Sequence, residues 1–308
     1  MVSRRRSASL PPSGGAPLAL FRVASVRYNP LLVGLTTLPM TSPDPRSVAA
    51  RSTLALQLIA QAGEVLRQGL GQQKDIHLKG VIDPVTQFDH LSEALLVDGL
   101  QRAFPDDAVL AEERGGASDR PWAWHVDPLD GTVNFAHGVP IFAVSVGLAF
   151  EGIPVFGAIL DPMRGELFEA SHGQGARLNG RPIHVSNATN LLDSLLVTGF
   201  RYDIQTNPDN NFREFAEFHL RARGVRRLGA AALDLAYVAA GRFDGYWELE
   251  MQSWDLAAGA VIVREAGGVV TRLDGSPDML RAPLSLVASN GHIHAEMLGV
   301  LAELRSPE

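Results

Sequence analysis

The spacing of apolar residues predicts a chain that opens with helices, passes through a block of strands, and then alternates the two. After Pro43-Asp44-Pro45, residues Leu54, Leu58, Ala62, Val65 and Leu66 recur at helical intervals. A helix is therefore expected over about 47–70, stopped by Gly69 and Gly71. Residues 79–86 read as loop and short strand. A second helix follows, with Asp89 as its N-cap, Leu91, Leu95, Leu96 and Leu100 at helical spacing, and Pro105 closing it. Val109-Leu110 begins a short strand ending in Glu112 and Glu113, and 122–126 forms another. Beta-runs at 142–150, 155–160 and 165–170 lead into a hairpin through Gly173, Gly175 and Gly180, then to 183–185. This block predicts an antiparallel sheet backed by the first two helices. From about Leu191 strands are expected at 195–197, 225–228, 244–249, 269–271 and 286–288, with helices at 211–221, 230–240, 253–265 and 292–304. The fold class is α/β: an α+β part over 44–186 and an α/β part over 187–308, layered into a sandwich and joined near Asn187.

Composition narrows the function. The 308 residues are 46% hydrophobic and 20% charged, enough apolar material for a large core. Net charge is −7 with no acidic runs, which argues against nucleic acid as a main ligand. The absence of cysteine excludes disulfides, thiolate nucleophiles, iron–sulfur clusters and cysteine-ligated zinc. No apolar stretch is long enough to span a bilayer, so no membrane partner is expected. Residues 1–43 hold five arginines and no acid and are rich in Ser, Pro, Gly and Ala, which predicts a disordered extension. Three readings of it stay open: an organellar transit peptide, a secretory signal, or a true start at Met40 with residues 1–39 spurious. The expected location is cytoplasmic, or an organelle if the transit reading holds.

The most informative segment is Asp127-Pro128-Leu129-Asp130-Gly131-Thr132. Pro128 fixes its own φ and biases Asp127 toward an extended conformation, and Gly131 permits a tight turn. Two carboxylates three positions apart, directly before backbone amides free to meet an anion, suggest metal-assisted phosphate chemistry. Pro-Leu-Asp-Gly is also good β-turn chemistry. Glu112 and Glu113, adjacent on a strand end, should point to opposite sides, one of them able to face a site. Asp255 falls in a first helical turn, Glu248 at the end of the strand feeding that helix, and Asp83 in a loop, all places that ordinary dipole or turn chemistry also explains. Competing chemistries are poorly served. There is no His-x-x-x-His pair, no lysine after a glycine-rich turn, and Ala143-Val144-Ser145-Val146-Gly147 lacks the helix a nucleophile elbow requires.

Five segments in order resemble the inositol monophosphatase family of magnesium-dependent, lithium-sensitive phosphomonoesterases. They are 79–89; Ala111-Glu112-Glu113; 124–135 with the Asp-Pro-Leu-Asp-Gly-Thr motif; Gly229-Ala230-Ala231-Ala232-Leu233-Asp234; and Trp254-Asp255-Leu256-Ala257-Ala258-Gly259. The resemblance implies the layered αβαβα sandwich of that family and two Mg2+ ions, with a third, weaker one near Glu112. Glu112, Asp127 and the Leu129 carbonyl would hold the first ion, and Asp127, Asp130 and Asp255 the second. Gly131 and Thr132 amides would receive the phosphate. Asp83 would hydrogen-bond the Thr132 hydroxyl, and these two together with Glu112 would orient the attacking water. Asp130, Ala231, Glu248 and Asp255 would contact the alcohol. Ala111, Val133 and Ser253 depart from common family residues without removing a ligand. Val133-Asn134-Phe135 looks closer to inositol phosphatases than to bisphosphate nucleotidases, so myo-inositol 1-phosphate is the expected substrate. Histidinol phosphate, fructose 1,6-bisphosphate or NADP are the alternatives, and a regulatory, RNA-processing role is the non-enzymatic one. The resemblance also implies a homodimer.

Overall fold

The computed structural model describes residues 43–80, 82–117 and 119–305, and from Pro43 onward the chain forms one compact unit. Expectations for residues 1–42 lie outside the described residues. Helix α1 (Pro45–Gly69) starts on Asp44, whose side chain accepts from the Arg46 amide at 2.9 Å. A hairpin of β1 (Ile76–Leu78) and β2 (Pro84–Thr86) leads into α2 (Gln87–Ala103). Its N-cap is Thr86, not Asp89 as the sequence suggested. Asp89 sits at the third helical position and closes a capping box by accepting from the Thr86 amide at 2.8 Å.

The large sheet contains β3 (Ala108–Ala111), β4 (Trp122–Asp130), β5 (Ala143–Phe150), β6 (Ile153–Asp161), β7 (Glu166–Ser171), β8 (Ala176–Leu178) and β9 (Arg181–Pro182), in that spatial order. A five-residue helix, α3 (Thr132–Ala136), interrupts the step from β4 to β5. Every pairing is antiparallel except β3 with β4. The expected strand at 183–185 is instead an extended tail, whose Val185 amide donates to the Ala266 carbonyl.

The second sheet runs β11 (Gly224–Arg226), β10 (Leu195–Thr198), β12 (Gly245–Glu248), β14 (Leu286–Ser289), β13 (Val269–Thr271). Its helices are α4 (Phe212–Arg221), α5 (Ala231–Ala239), α6 (Ser253–Glu265) and α7 (His294–Arg305). Helices α1 and α2 cover one face of the large sheet over a core that includes Leu66, Leu96, Trp124, Phe135 and Phe156. Helices α5 and α6 lie between the sheets, and α4 and α7 close the far side around Phe218, Trp247 and Met297. The result is a five-layer αβαβα sandwich.

The sandwiched helices show in their composition. Residues 256–263 of α6 and 232–239 of α5 are buried without a break, and all but Asp234 and the Tyr237 hydroxyl are apolar, as a helix packed on both faces requires. Each large side chain of this kind taken from water contributes roughly 1.5–3 kcal/mol. The close seating of α6 depends on two glycines in the sheet. A Cβ on Gly147 would lie 2.8 Å from the Ala257 Cβ, and one on Gly157 2.3 Å from the Ala258 carbonyl oxygen.

Candidate active site

The candidate residues converge on one cavity of about 630 Å³. Asp83, Glu112, Asp127, Leu129, Asp130, Gly131, Thr132, Ala231, Glu248 and Asp255 all line it. Strand β4 runs on to Asp130, beyond the expected end at Val126, and its register explains how it presents both acids. Asp127 pairs with Ser145 and Asp130 with Ala143, so three steps on β4 match two on β5. In a regular strand, residues three apart face opposite ways; the extra residue of this bulge brings both carboxylates to the cavity. Gly131 follows at φ 89° and starts α3, leaving the Thr132 amide in a first turn where no intrahelical acceptor exists.

Helix α2 holds this bend from behind. Asp89, Ser92 and Glu93 fall at helical spacing on its buried side and each grips a different piece of the site. The Ser92 hydroxyl donates to the Pro128 carbonyl at 2.7 Å, and Glu93 accepts from the Glu113 and Arg114 amides at 2.7 and 3.3 Å. The Thr132 hydroxyl lies 3.0 Å from Asp89 Oδ1 and 2.9 Å from the Leu129 carbonyl, donating its single proton to one at a time. This corrects the assignment of Asp83 as the partner of Thr132. Asp83 is 25% exposed and faces Lys79 Nζ at 3.9 Å.

Lys79 also corrects the expected divergence of the two glutamates. Its ammonium donates to Glu112 Oε1 and Glu113 Oε1, each at 2.7 Å. The chain leaves the strand at Ala111 and turns, so the alternation of a strand no longer applies.

The other acids have their own anchors. Asp130 accepts from the Ala231 and Ala232 amides at the start of α5, both at 2.9 Å. Asp255 accepts from the Gln252 amide at 2.7 Å, and the Tyr246 hydroxyl donates to Glu248. A Cβ on Gly199 would overlap the Glu248 carboxylate, so the backbone there must be bare. His125 Nδ1 meets the Ser253 hydroxyl at 2.8 Å, tying β4 to the first turn of α6.

Charge is heavily one-sided. Among the described residues nine acids and three bases line the cavity. Burial, and then the charges of Glu112, Asp130 and Asp255, hold the Asp127 carboxyl well above the usual range. Burial pushes Asp130 up to about 7 against the Ala232 and Ala231 amides, and Glu112 up to about 7 against Lys79. Burial likewise raises Glu248 to about 7, opposed by Tyr246 and Arg227. Among the described residues no three acids or histidines already stand as a ready-made metal cluster. Glu112, Asp127, Asp130, Glu248 and Asp255 are each turned to a protein donor instead. The donor set nonetheless suits a hard divalent cation: carboxylates and a carbonyl, no thiolate, and mutual repulsion that a cation would relieve.

Sequence reasoning gave no place in the site to Asp89, Lys79, Arg227 or Asp234, all of which touch this machinery. The Thr86-x-x-Asp89 spacing of a capping box was the available signal for the first.

A profile of the inositol monophosphatase family matches residues 48–306. The inositol-1-monophosphatase of Synechocystis sp. is 47% identical over 252 residues, covering 81% of this chain and 88% of that protein. Nus factor SuhB of Pseudomonas aeruginosa is 43% identical over 235 residues, covering 74% and 87%. The solved inositol monophosphatase of Anabaena (Nostoc) sp. superposes with a TM-score of 0.76 at 42% identity, covering 83% of this chain and 97% of that one. The fold is thus shared with a solved inositol monophosphatase. The chain belongs to the inositol monophosphatase family. No helix among the described residues is long and apolar enough to cross a membrane.

Proposed function

We propose that the protein hydrolyses myo-inositol 1-phosphate, or a related sugar-alcohol phosphate, to the alcohol and inorganic phosphate with Mg2+. The carrying observation is the excess of acids over bases in a cavity that must admit a dianionic ester. Such a substrate enters only if cations offset the acids. Glu112, Asp127 and the Leu129 carbonyl would hold one ion, and Asp127, Asp130 and Asp255 a second. A third, weaker one would sit near Glu112. Bound divalent ions supply charge neutralisation for the phosphate and leaving oxygen, and acidify a water.

The chain's own groups do the positioning. With its proton given to Asp89, the Thr132 hydroxyl keeps lone pairs that can accept from the attacking water. Glu112 is the second acceptor for that water. The Gly131 and Thr132 amides meet phosphate oxygens, and Ala231, Glu248, Asp130 and Asp255 surround the alcohol. Among the described lining residues none is Ser, Cys or His, which favours direct in-line attack by water over a covalent phosphoenzyme.

The test is a panel of phosphate esters with and without Mg2+. Dominance of 3′-phosphoadenosine 5′-phosphate refutes the inositol assignment, and turnover untouched by chelator refutes the ion sites. The SuhB relatives favour a second, regulatory reading. Asp127→Asn separates the two: hydrolysis is expected to fall by orders of magnitude with the fold intact. A homodimer belongs to the same reading, with light scattering as its direct check.

A further inference from the structure

Of the four cavity acids without a task in this reaction, one is fully buried. Asp234 lies on α5 three residues after Ala231, so the two leave the helix on the same side and both line the cavity. Asp234 is 1% exposed, and neither of its carboxylate oxygens has a hydrogen-bond partner among the described residues. Its neighbours differ in this respect: both oxygens of Asp130 are taken by α5 amides, and Glu248 receives the Tyr246 hydroxyl. A buried carboxylate with both acceptors idle weakens the fold unless a bound group completes it.

Its position points to the alcohol side. The charges that act on Asp127 are Glu112, Asp130 and Asp255, whereas those acting on Asp234, after burial, are Glu248, Asp130 and Arg227. Asp234 thus stands with Glu248, away from the Glu112 end of the cavity. No described residue donates a hydrogen bond to it, and Arg227 is the one cation whose charge acts on it.

We propose that Asp234 is a specificity-determining residue: its carboxylate accepts a hydrogen bond from an alcohol hydroxyl other than the one bearing phosphate. It thereby selects esters of polyols over esters of alcohols that lack further hydroxyls. An ester without that hydroxyl leaves the acceptor without its partner, which is how a polar site rejects an analogue. The inference rests on the phosphomonoesterase reading above and names what that site recognises.

The experiment compares kcat/KM for myo-inositol 1-phosphate and p-nitrophenyl phosphate in the wild type, Asp234→Asn and Asp234→Ala, with Mg2+ present, alongside the melting temperature of each. The preference for the polyol ester, read as the ratio of the two kcat/KM values, is expected to fall about 10- to 100-fold. The melting temperature of the Asn variant should not fall, because no protein hydrogen bond is lost. An unchanged preference overturns the proposal, whether both rates fall together or neither does. A lower melting temperature in both variants also overturns it, since Asp234 is then a structural residue. If the wild type hydrolyses p-nitrophenyl phosphate but not inositol 1-phosphate, the substrate reading fails instead, and fructose 1,6-bisphosphate replaces it in the same ratio. A wild type inactive on all three esters overturns both.

Discussion

Exchanging Asp89 or Asp83 for asparagine separates the observed contact of Thr132 from the one expected on resemblance. Asp89 is fully buried and accepts three hydrogen bonds: from the Thr86 amide at 2.8 Å, the Thr86 hydroxyl at 2.6 Å and the Thr132 hydroxyl at 3.0 Å. In Asp89→Asn one oxygen becomes an NH2 group, which faces donors at either Thr86 or Thr132. At least one bond to a charged acceptor is lost, worth about 1.5–3 kcal/mol, and the relief of burying a neutral group returns part of that. A net loss of about 1–3 kcal/mol corresponds to roughly 3–8 °C for a domain of this size. Turnover should fall about 100-fold or more, the usual scale for disturbing the group that orients a reacting water. Asp83→Asn removes only a partly exposed charge 3.9 Å from Lys79. Its stability should stay within about 0.5 kcal/mol of wild type. Thermal melts and steady-state rates on an inositol phosphate read both. A larger loss of kcat in Asp83→Asn than in Asp89→Asn would refute the assignment of Asp89 to Thr132.

Other outcomes follow from the same geometry. Glu112, Asp130 and Glu248 are raised to about 7, chiefly by burial, so the stability they contribute is present below their ordinary values near 4 and lost as pH rises through 7. The metal-free protein should therefore melt lower at pH 8 than at pH 5.5, and Mg2+ should raise the melting temperature more at pH 8, where it no longer competes with protons; equal shifts at both pH values count against the ion sites. Gly131→Ala places a Cβ at positive φ, 3.0 Å from the Ile141 carbonyl oxygen and 3.1 Å from that of Gly229. It should cost about 1–2 kcal/mol in a denaturant titration and lower kcat, because the substituted residue sits between Asp130 and Thr132. Lithium should inhibit hydrolysis in a standard phosphate-release assay, and insensitivity would weaken that part of the family resemblance.

Most of the architecture was legible because burial leaves a period. The 3.6-residue rhythm of α1 and α2 and the unbroken apolar stretch of α6 mark their places in the sequence itself. The acids of the cavity were legible as a motif, but their shared direction was not, since it depends on a bulge at Pro128-Leu129 that only the pairing with β5 defines. Asp89 was misread for a related reason. A polar residue near a helix start looks like a cap, and whether it caps or sits one turn inside depends on which residue is extended, here Thr86 with φ −120° and ψ 168°. Ser92 and Glu93 carry no motif at all. Their role exists only because the strand and turn they hold arrive from 20 to 36 residues away. Asp234 belongs with them, since a lone acid in an alanine-rich helix reveals nothing until its neighbours are known.

The two bare positions under α6 bear on how such a site can change. Asp255 rides on a helix whose height above the sheet is set by missing methyl groups at Gly147 and Gly157. Any side chain at either residue acts as a shim, lifting that carboxylate away from Asp127 without altering a single group that touches the ester. Variation in catalytic power among proteins built on this plan can therefore originate in the floor beneath the helix, where a survey limited to cavity-lining residues would overlook it.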